Sequence, residues 1–363
     1  MMPSDAAAAG LGAAQFVRPA FAASLECAHL IVSHLTLQRS LGAGSIGRVE
    51  LFLDPGTGVR YAIKTIPINS ASTEERARKE AEVVRALGDH ACVPAYLAAL
   101  YDERCTCLRL VMEYVEGACL MDAIRASGGL PEAAVQCLLR QLISALDHVQ
   151  RRGYVYVDLK PENVLLVLAK GCGRNSLGST SAAKVMVDNL ATGGTRVMLC
   201  DFDLCHRLAV PASASPPGAS ASAAGTSTGS SARTPTDSRQ DGQGGRPFFW
   251  GTLDSVAPEV IAHGVSGYGT PSDWWAVGVL TFECLFGYSP FATPSQERTI
   301  YNITMTAPWF PDQPKVSDKC QQFVRCLLRQ RVDVRMGSRR GAQELLEHSF
   351  LKLQEGGATG LHL

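Results

Sequence analysis

Between Pro131 and Arg151 the residues Val135, Leu138, Leu139, Leu142, Ile143, Leu146 and Val149 recur at three- and four-residue steps. That spacing predicts a long helix, opened by Pro131, with one broad apolar face that must be covered by a core. The stretch before it has a different period. "LTLQRSLG", "RVELFL" and "VRYAIKTI" read as strands separated by glycine-rich turns such as Asp54-Pro55-Gly56. One helix interrupts them, with Ser72 as its expected N-cap, Glu75 completing a capping box, and an end near Leu87. A small strand-rich part followed by a larger helical part predicts an α+β, two-lobe architecture.

The 363 residues suffice for one large bilobed domain, and a hydrophobic content of 46% supplies its core. The formal net charge of +0 removes the electrostatic case for a nucleic-acid or polybasic membrane partner. No apolar run reaches transmembrane length. The twelve cysteines form no regular framework, and Cys105 and Cys107 stand too close for the usual zinc spacing. Free thiols in a reducing compartment are expected, hence a cytoplasmic protein, with the nucleus or an organelle as alternatives; a monomer is expected as well. The alanine-rich N-terminus lacks the basic start and compact apolar block of a signal peptide. Residues 1–33 are read as weakly ordered, and two segments, about 169–194 and 209–246, as surface insertions. The ordered domain is expected over 34–353, with lobes 34–113 and 116–353 and a tail at 354–363.

"LGAGSIGRV" places Gly42, Gly44 and Gly47 between two strands. Glycines there serve turns as readily as ligands, but a strand after them argues against a dinucleotide fold, whose glycines open a helix. Lys64 follows in "YAIK", and Glu80 lies in the next helix. Then come "YVYVDLKPENVLL", "LCDFDL", "GTLDSVAPE", "SDWWAVGVLTFECLFGYSPF" and "RVDVRMGS". In this order the motifs resemble a eukaryotic protein kinase. The first glycine motif, Tyr156, "DWWAVG", "GYSPF" and "RMGSRRGAQELLEHSFL" are similar to the AGC group. Asp203 in place of glycine, with a long insertion before Ala257-Pro258-Glu259, resembles the plant and algal AGC kinases typified by the phototropin kinase domain. A preceding flavin-binding domain and the usual AGC C-terminal tail are not expected.

The resemblance implies a serine/threonine kinase acting on protein substrates, with ATP and Mg2+. Asp158 would accept the substrate proton, Lys160 steady the γ-phosphate, and Lys64, oriented by Glu80, hold the other phosphates. Thr252 would bond Asp158 and Lys160. Asn163 and Asp201 would ligate magnesium. Leu41, Gly42, Gly44, Gly47, Val49, Ala62, Lys64, Met112, Glu113, Val115 and Leu165 would line the nucleotide site. Asp273 would tie down the catalytic-loop backbone, and Arg335 would pair with Glu259. Substrate reading falls to Glu162 and Glu283 for a basic residue two before the site, and to Phe249, Leu253 and Val256 for the residue after it. Cys119 stands where a glutamate reads an arginine three before the site, with Glu116 nearby as a substitute.

Two departures from the family pattern coincide. Val157 replaces the arginine that grips a phosphate on the activation segment, and Phe248 occupies the phosphoacceptor position. A buried phosphate facing valine would go unpaired, whereas valine and phenylalanine are mutually consistent. Control by activation-segment phosphorylation is therefore not expected. Asp203 restricts a backbone that glycine would leave free, although aspartate tolerates unusual angles. The alternative is a pseudokinase scaffold that binds nucleotide or a partner without turnover. Cys200, beside Asp201, has two readings, a reactive thiol or a buried strand cysteine. Trp274 and Trp275 are read as core.

Overall fold

A computed structural model of the chain describes residues 34–44, 46–101, 106–168, 182–208 and 251–352. The first layer is a five-stranded antiparallel sheet. It contains β1 (Thr36–Ala43), β2 (Arg48–Leu53), β3 (Arg60–Pro67), β4 (Tyr96–Tyr101) and β5 (Cys107–Glu113), in the order β1-β2-β3-β5-β4. Alternation explains its sidedness. Tyr61 and Ile63 of β3 join Leu100 and Val111 in one small core, while Ile66 joins Leu108 and Leu110 in another. Helix α1 (Ala71–Leu87) covers the second cluster through Ala77 and Ala81.

The cap of α1 differs from the sequence expectation. Ser70, not Ser72, is the N-cap: its hydroxyl accepts from the Thr73 N–H, and Thr73 returns the bond as the third helical residue. Ser72 and Glu75 lie inside the helix. Two serines two residues apart offered nearly equivalent caps. Asn69, whose side-chain oxygen accepts from the Thr73 hydroxyl, supports the earlier one.

The second part is mainly helical. After β6 (Ala118–Cys119) and α2 (Leu120–Ser127) comes α3 (Glu132–Arg151), with Pro131 at its N-cap. All seven apolar residues that predicted α3 are 0% exposed, which makes it the axis of the main core. Strand β7 (Tyr154–Val155) leads into the loop of interest, and β8 (Val164–Leu168) leads out of it. Helix α4 (Ala182–Asp188) and strand β9 (Thr195–Leu199) follow, with β9 pairing antiparallel to β8.

Helix α4 corrects the reading of 169–194 as an unstructured insertion. Ala183, Met186, Val187 and Leu190 are buried against the core, a helical spacing too short to stand out beside glycine- and serine-rich sequence. Residues 169–181, like the segments 1–33 and 209–246, lie outside the described residues.

Strand β10 (His206–Arg207) pairs with β7. Five helices complete the lobe: α5 (Pro258–His263), α6 (Thr270–Phe286), α7 (Gln296–Met305), α8 (Asp318–Leu327) and α9 (Ala342–Leu346). Helix α6 is apolar on all sides because it runs through the centre, and Trp274 and Trp275 are both fully buried core residues. Among the described residues no helix is long and apolar enough to cross a membrane.

Candidate active site

The site forms where the β-sheet lobe meets the loops around β7, β8 and β9. Lys64 enters from the middle of β3, where register sets it opposite Val49 of β2 and Leu110 of β5. Its ammonium donates to Glu80 Oε1 of α1 and to Asp201 Oδ1 beyond β9, both at 2.7 Å. Burial alone would lower the lysine pKa, but the facing carboxylates outweigh it and hold the group charged. Burial pushes Glu80 up to about 7, partly countered by Lys64. Its second oxygen, Oε2, has no hydrogen-bond partner.

Asp158 lies across the cleft, almost fully buried. Lys160 Nζ donates to its Oδ2 at 2.6 Å, and the Thr252 hydroxyl donates to its Oδ1 at 3.3 Å. Lys160 also reaches Thr252 Oγ1 at 3.4 Å. Asn163 donates its amide N–H to the Asp158 backbone oxygen at 2.8 Å, which leaves its own amide oxygen as an available ligand. The Cys200 N–H donates to the Asn163 carbonyl at 2.8 Å, so β8 and β9 hold Asn163 and Asp201 in a fixed relation.

The loop that carries Asp158 is held in an unusual backbone. Val157 has φ 77, a left-handed conformation that opposes its branched side chain. Asp273 of α6 compensates by accepting from the Tyr156 and Val157 N–H groups at 3.0 Å each, with Gln150 donating to the same carboxylate. Burial pushes Asp273 up to about 6 against those bonds. Relief of this strain by Val157→Asn is expected to raise the denaturant midpoint, with a gain of about 1 kcal/mol. A fall would mean that packing of the valine side chain outweighs the strain.

Asp201 is the other non-glycine residue with positive φ among those described, at φ 58. Asp203 is therefore not in the conformation that demands glycine, and the restriction expected of it does not arise. Its carboxylate instead meets Arg76 of α1 at 3.3 Å. Sequence reading missed Arg76, although its position one helical turn before Glu80 was a usable signal. Phe202 is buried and packs edge-on against Tyr156, whose hydroxyl bonds the Cys200 carbonyl. Burial and the neighbouring Asp201 push the Cys200 thiol up to about 12, which matches the unreactive reading.

The residues expected to line a nucleotide site sit on or beside the strands that border the cleft. Leu41 and Gly42 lie on β1, Val49 on β2, Ala62 on β3 opposite Met112 of β5, and Leu165 on β8 opposite Cys119. Glu113 ends β5, its N–H donating to Ala95, and Val115 follows it. The glycines differ in what requires them. A Cβ on Gly47 would come within 2.5 Å of the Thr65 carbonyl, so close packing over β3 demands it. A Cβ on Gly44 would sit 3.6 Å from Asp201 Oδ2, which places that turn directly over the carboxylates.

Beside Lys160 a second cleft is lined by Glu162, Thr252, Asp254, Ser255 and Glu283. Asp254 and Ser255 were not singled out in sequence. Leu253 packs partly on the core and Val256 is 5% exposed within it, while Phe249 and Phe248 lie outside the described residues. Cys119 Sγ sits 3.8 Å from the Glu162 carbonyl, its thiol pushed up by burial. Glu116 pairs with Arg60 at 2.9 Å, which weakens its case as a substitute for Cys119. Farther off, Arg335 meets Glu259 in a two-pronged ion pair.

The family model described as protein kinase domain matches residues 35–351. The chain is 30% identical to the serine/threonine-protein kinase WAG2 of Arabidopsis thaliana, over 87% of this chain and 64% of that one. It is 29% identical to the serine/threonine-protein kinase KIPK1 of the same plant, over 88% of this chain and 37% of that one. Serine/threonine-protein kinase nrc-2 of Neurospora crassa is 29% identical, over 86% of this chain and 46% of its own length. The chain thus spans roughly a third to two thirds of these relatives.

Proposed function

Because the chain belongs to the protein kinase family, we propose that it is a kinase of the AGC group that transfers the γ-phosphate of ATP to serine and threonine hydroxyls of proteins. The observation that carries this reading is the intact arrangement of Lys64 between Glu80 and Asp201, facing Asp158 with its Lys160 and Thr252 contacts. A scaffold without turnover gives no reason to keep both halves in hydrogen-bonding order.

Asp158 accepts the substrate hydroxyl proton, Lys160 meets the transferring phosphate, and Lys64 holds the remaining phosphates. Two hard oxygen donors, the Asp201 carboxylate and the Asn163 amide oxygen, suit Mg2+, which is commonly bound by one or two protein oxygens together with substrate phosphates. When bound, the ion neutralises phosphate charge. Lys64, Asp201 and Gly44 lie close enough to confine the phosphates between them. The free cysteines fit a cytoplasmic protein, and we read the chain as a monomer. Activation-segment phosphorylation plays no part in this reading. Radiolabelled phosphate should pass from ATP to a mixed protein substrate at the same rate before and after phosphatase treatment. No transfer at all would refute the kinase reading, and loss on dephosphorylation would refute its independence from phosphorylation.

For substrate choice, Glu162, Glu283 and the newly placed Asp254 favour a basic residue near the phosphorylated position, with Cys119 offering no charge to a more distant arginine. Burial first, then Glu162 and Asp254, push Glu283 up to about 7. Below that value it carries a proton and attracts a cation less; above it the extra charge appears. KM for a peptide with arginine two before the site should therefore fall roughly tenfold from pH 6 to 8, as a group titrating near 7 requires. Glu283→Gln should flatten the profile, and an unaltered slope would remove Glu283 from the recognition site.

A further inference from the structure

The pair formed by Arg76 and Asp203 has no part in the chemistry above, yet it joins the two elements that the chemistry needs together. Arg76 and Glu80 stand four residues apart on α1, hence on one face. Asp203 follows Asp201 by two residues. Two ionic bridges therefore span the same pair of elements: Glu80–Lys64–Asp201, and Arg76–Asp203 at 3.3 Å.

The Asp203 side chain is 3% exposed, whereas that of Arg76 is 39% exposed. A carboxylate so buried requires a counter-charge. It also lies close enough to Lys64 and Glu80 for its charge to act on both. Without Arg76, Asp203 would lose that counter-charge beside Lys64 and Glu80. Asp203 would then compete for Lys64 and repel Glu80, loosening the arrangement that faces the phosphates. A weaker, exposed contact of Arg207 on β10 with Glu82 of α1 at 3.9 Å lies nearby along the chain.

We propose that Arg76 and Asp203 are positioning residues: their ion pair holds α1 against the segment carrying Asp201, and so fixes Lys64 between Glu80 and Asp201 without any added phosphate. The charge is part of the chain, so the arrangement is permanently set. This builds on the kinase reading, and the positioning claim can fail separately from it. The contact is a single nitrogen to a single oxygen rather than a two-pronged fork, so lysine can carry the same charge.

The test compares kcat and peptide KM for the full chain and for Arg76→Ala, Asp203→Asn, their double variant and Arg76→Lys. Each of the first two should lower kcat about tenfold with peptide KM unchanged, the range seen for coupled neighbours. The double variant should be no worse than the poorer single, and Arg76→Lys should keep most of the rate. Hydrogen exchange over Ala71–Leu87 should quicken alike in Arg76→Ala and Asp203→Asn, and by more than exchange over Glu132–Arg151. Losses that multiply in the double variant, or unchanged kcat and exchange in Arg76→Ala, overturn the proposal. If the unsubstituted protein transfers no phosphate, the kinase reading fails and the exchange comparison still decides the pair. If Asp203→Asn does not fold, Arg76→Ala, at a side chain 39% exposed, decides it alone.

Discussion

Asp158→Asn is expected to cut kcat for phosphate transfer by roughly 10²–10⁴-fold, the contribution of a positioned acid–base group. The substitution removes a proton acceptor and changes little else in shape. Lys160 and Thr252, which donate to the two carboxylate oxygens, lose at most one acceptor between them. Lys64→Met should cost a comparable 10²–10³-fold, because the proposed reading sets the ammonium between Glu80 and Asp201 against the phosphates. Neither change should unfold the chain. Glu80, already pushed up to about 7 by burial, can take a proton once the lysine is gone, so no lone charge is left in the core there. Kinetics with a peptide substrate, read beside circular dichroism melts, check both expectations. Undiminished turnover in either variant would refute its assigned role, and an unfolded variant would refute the claim that neither residue carries the core.

Why these residues were legible in sequence and others were not follows from how each is specified. Lys64, Asp158, Asn163 and Asp201 sit on short motifs whose spacing is set by strands and tight turns, so their order along the chain nearly fixes their arrangement. Helix α3 declared itself by seven apolar residues on one face. The Ser70 cap did not, because Ser72 satisfied the same pattern and the deciding group was the Asn69 side chain. Helix α4 was hidden for a different reason: only four of its residues and their neighbours are buried, too few to form a period. Long-range polar contacts were the least legible. Arg76 and Asp203 are 127 residues apart, and no local rule says that a partly buried helix arginine finds a buried carboxylate. The strain at Val157 was equally silent, since the sequence shows a valine missing its arginine but not the φ of 77 it adopts.

Glu259→Ala is expected to lower stability by about 3–5 kcal/mol, the cost of leaving one member of a buried ion pair alone. Arg335 is 2% exposed, and its guanidinium meets Glu259 Oε1 and Oε2 at 2.6 and 2.7 Å. It also donates to the carbonyls of Pro271 and Arg329 and lies 5.1 Å over the Trp275 ring. Carbonyls and an indole face partly solvate the cation but cannot neutralise it, so loss of the carboxylate strands a full charge. At about 2–4 °C per kcal/mol for a domain of this class, the melting midpoint should fall by roughly 10 °C. Replacing both partners, as in Glu259→Leu with Arg335→Met, should recover much of the loss, because the penalty comes from the unpaired charge rather than from the missing contact. A single variant that melts with the unsubstituted protein would show that the pair is not structural. The consequence reaches the active site through a short piece of chain. Glu259 lies in the first turn of α5, seven residues beyond Thr252, and anchors the end of the segment that brings Thr252 and Asp254 beside Asp158 and Glu283. Below its melting temperature Glu259→Ala should therefore raise peptide KM more than ATP KM, since α1, β3 and Asp201 are held by contacts of their own.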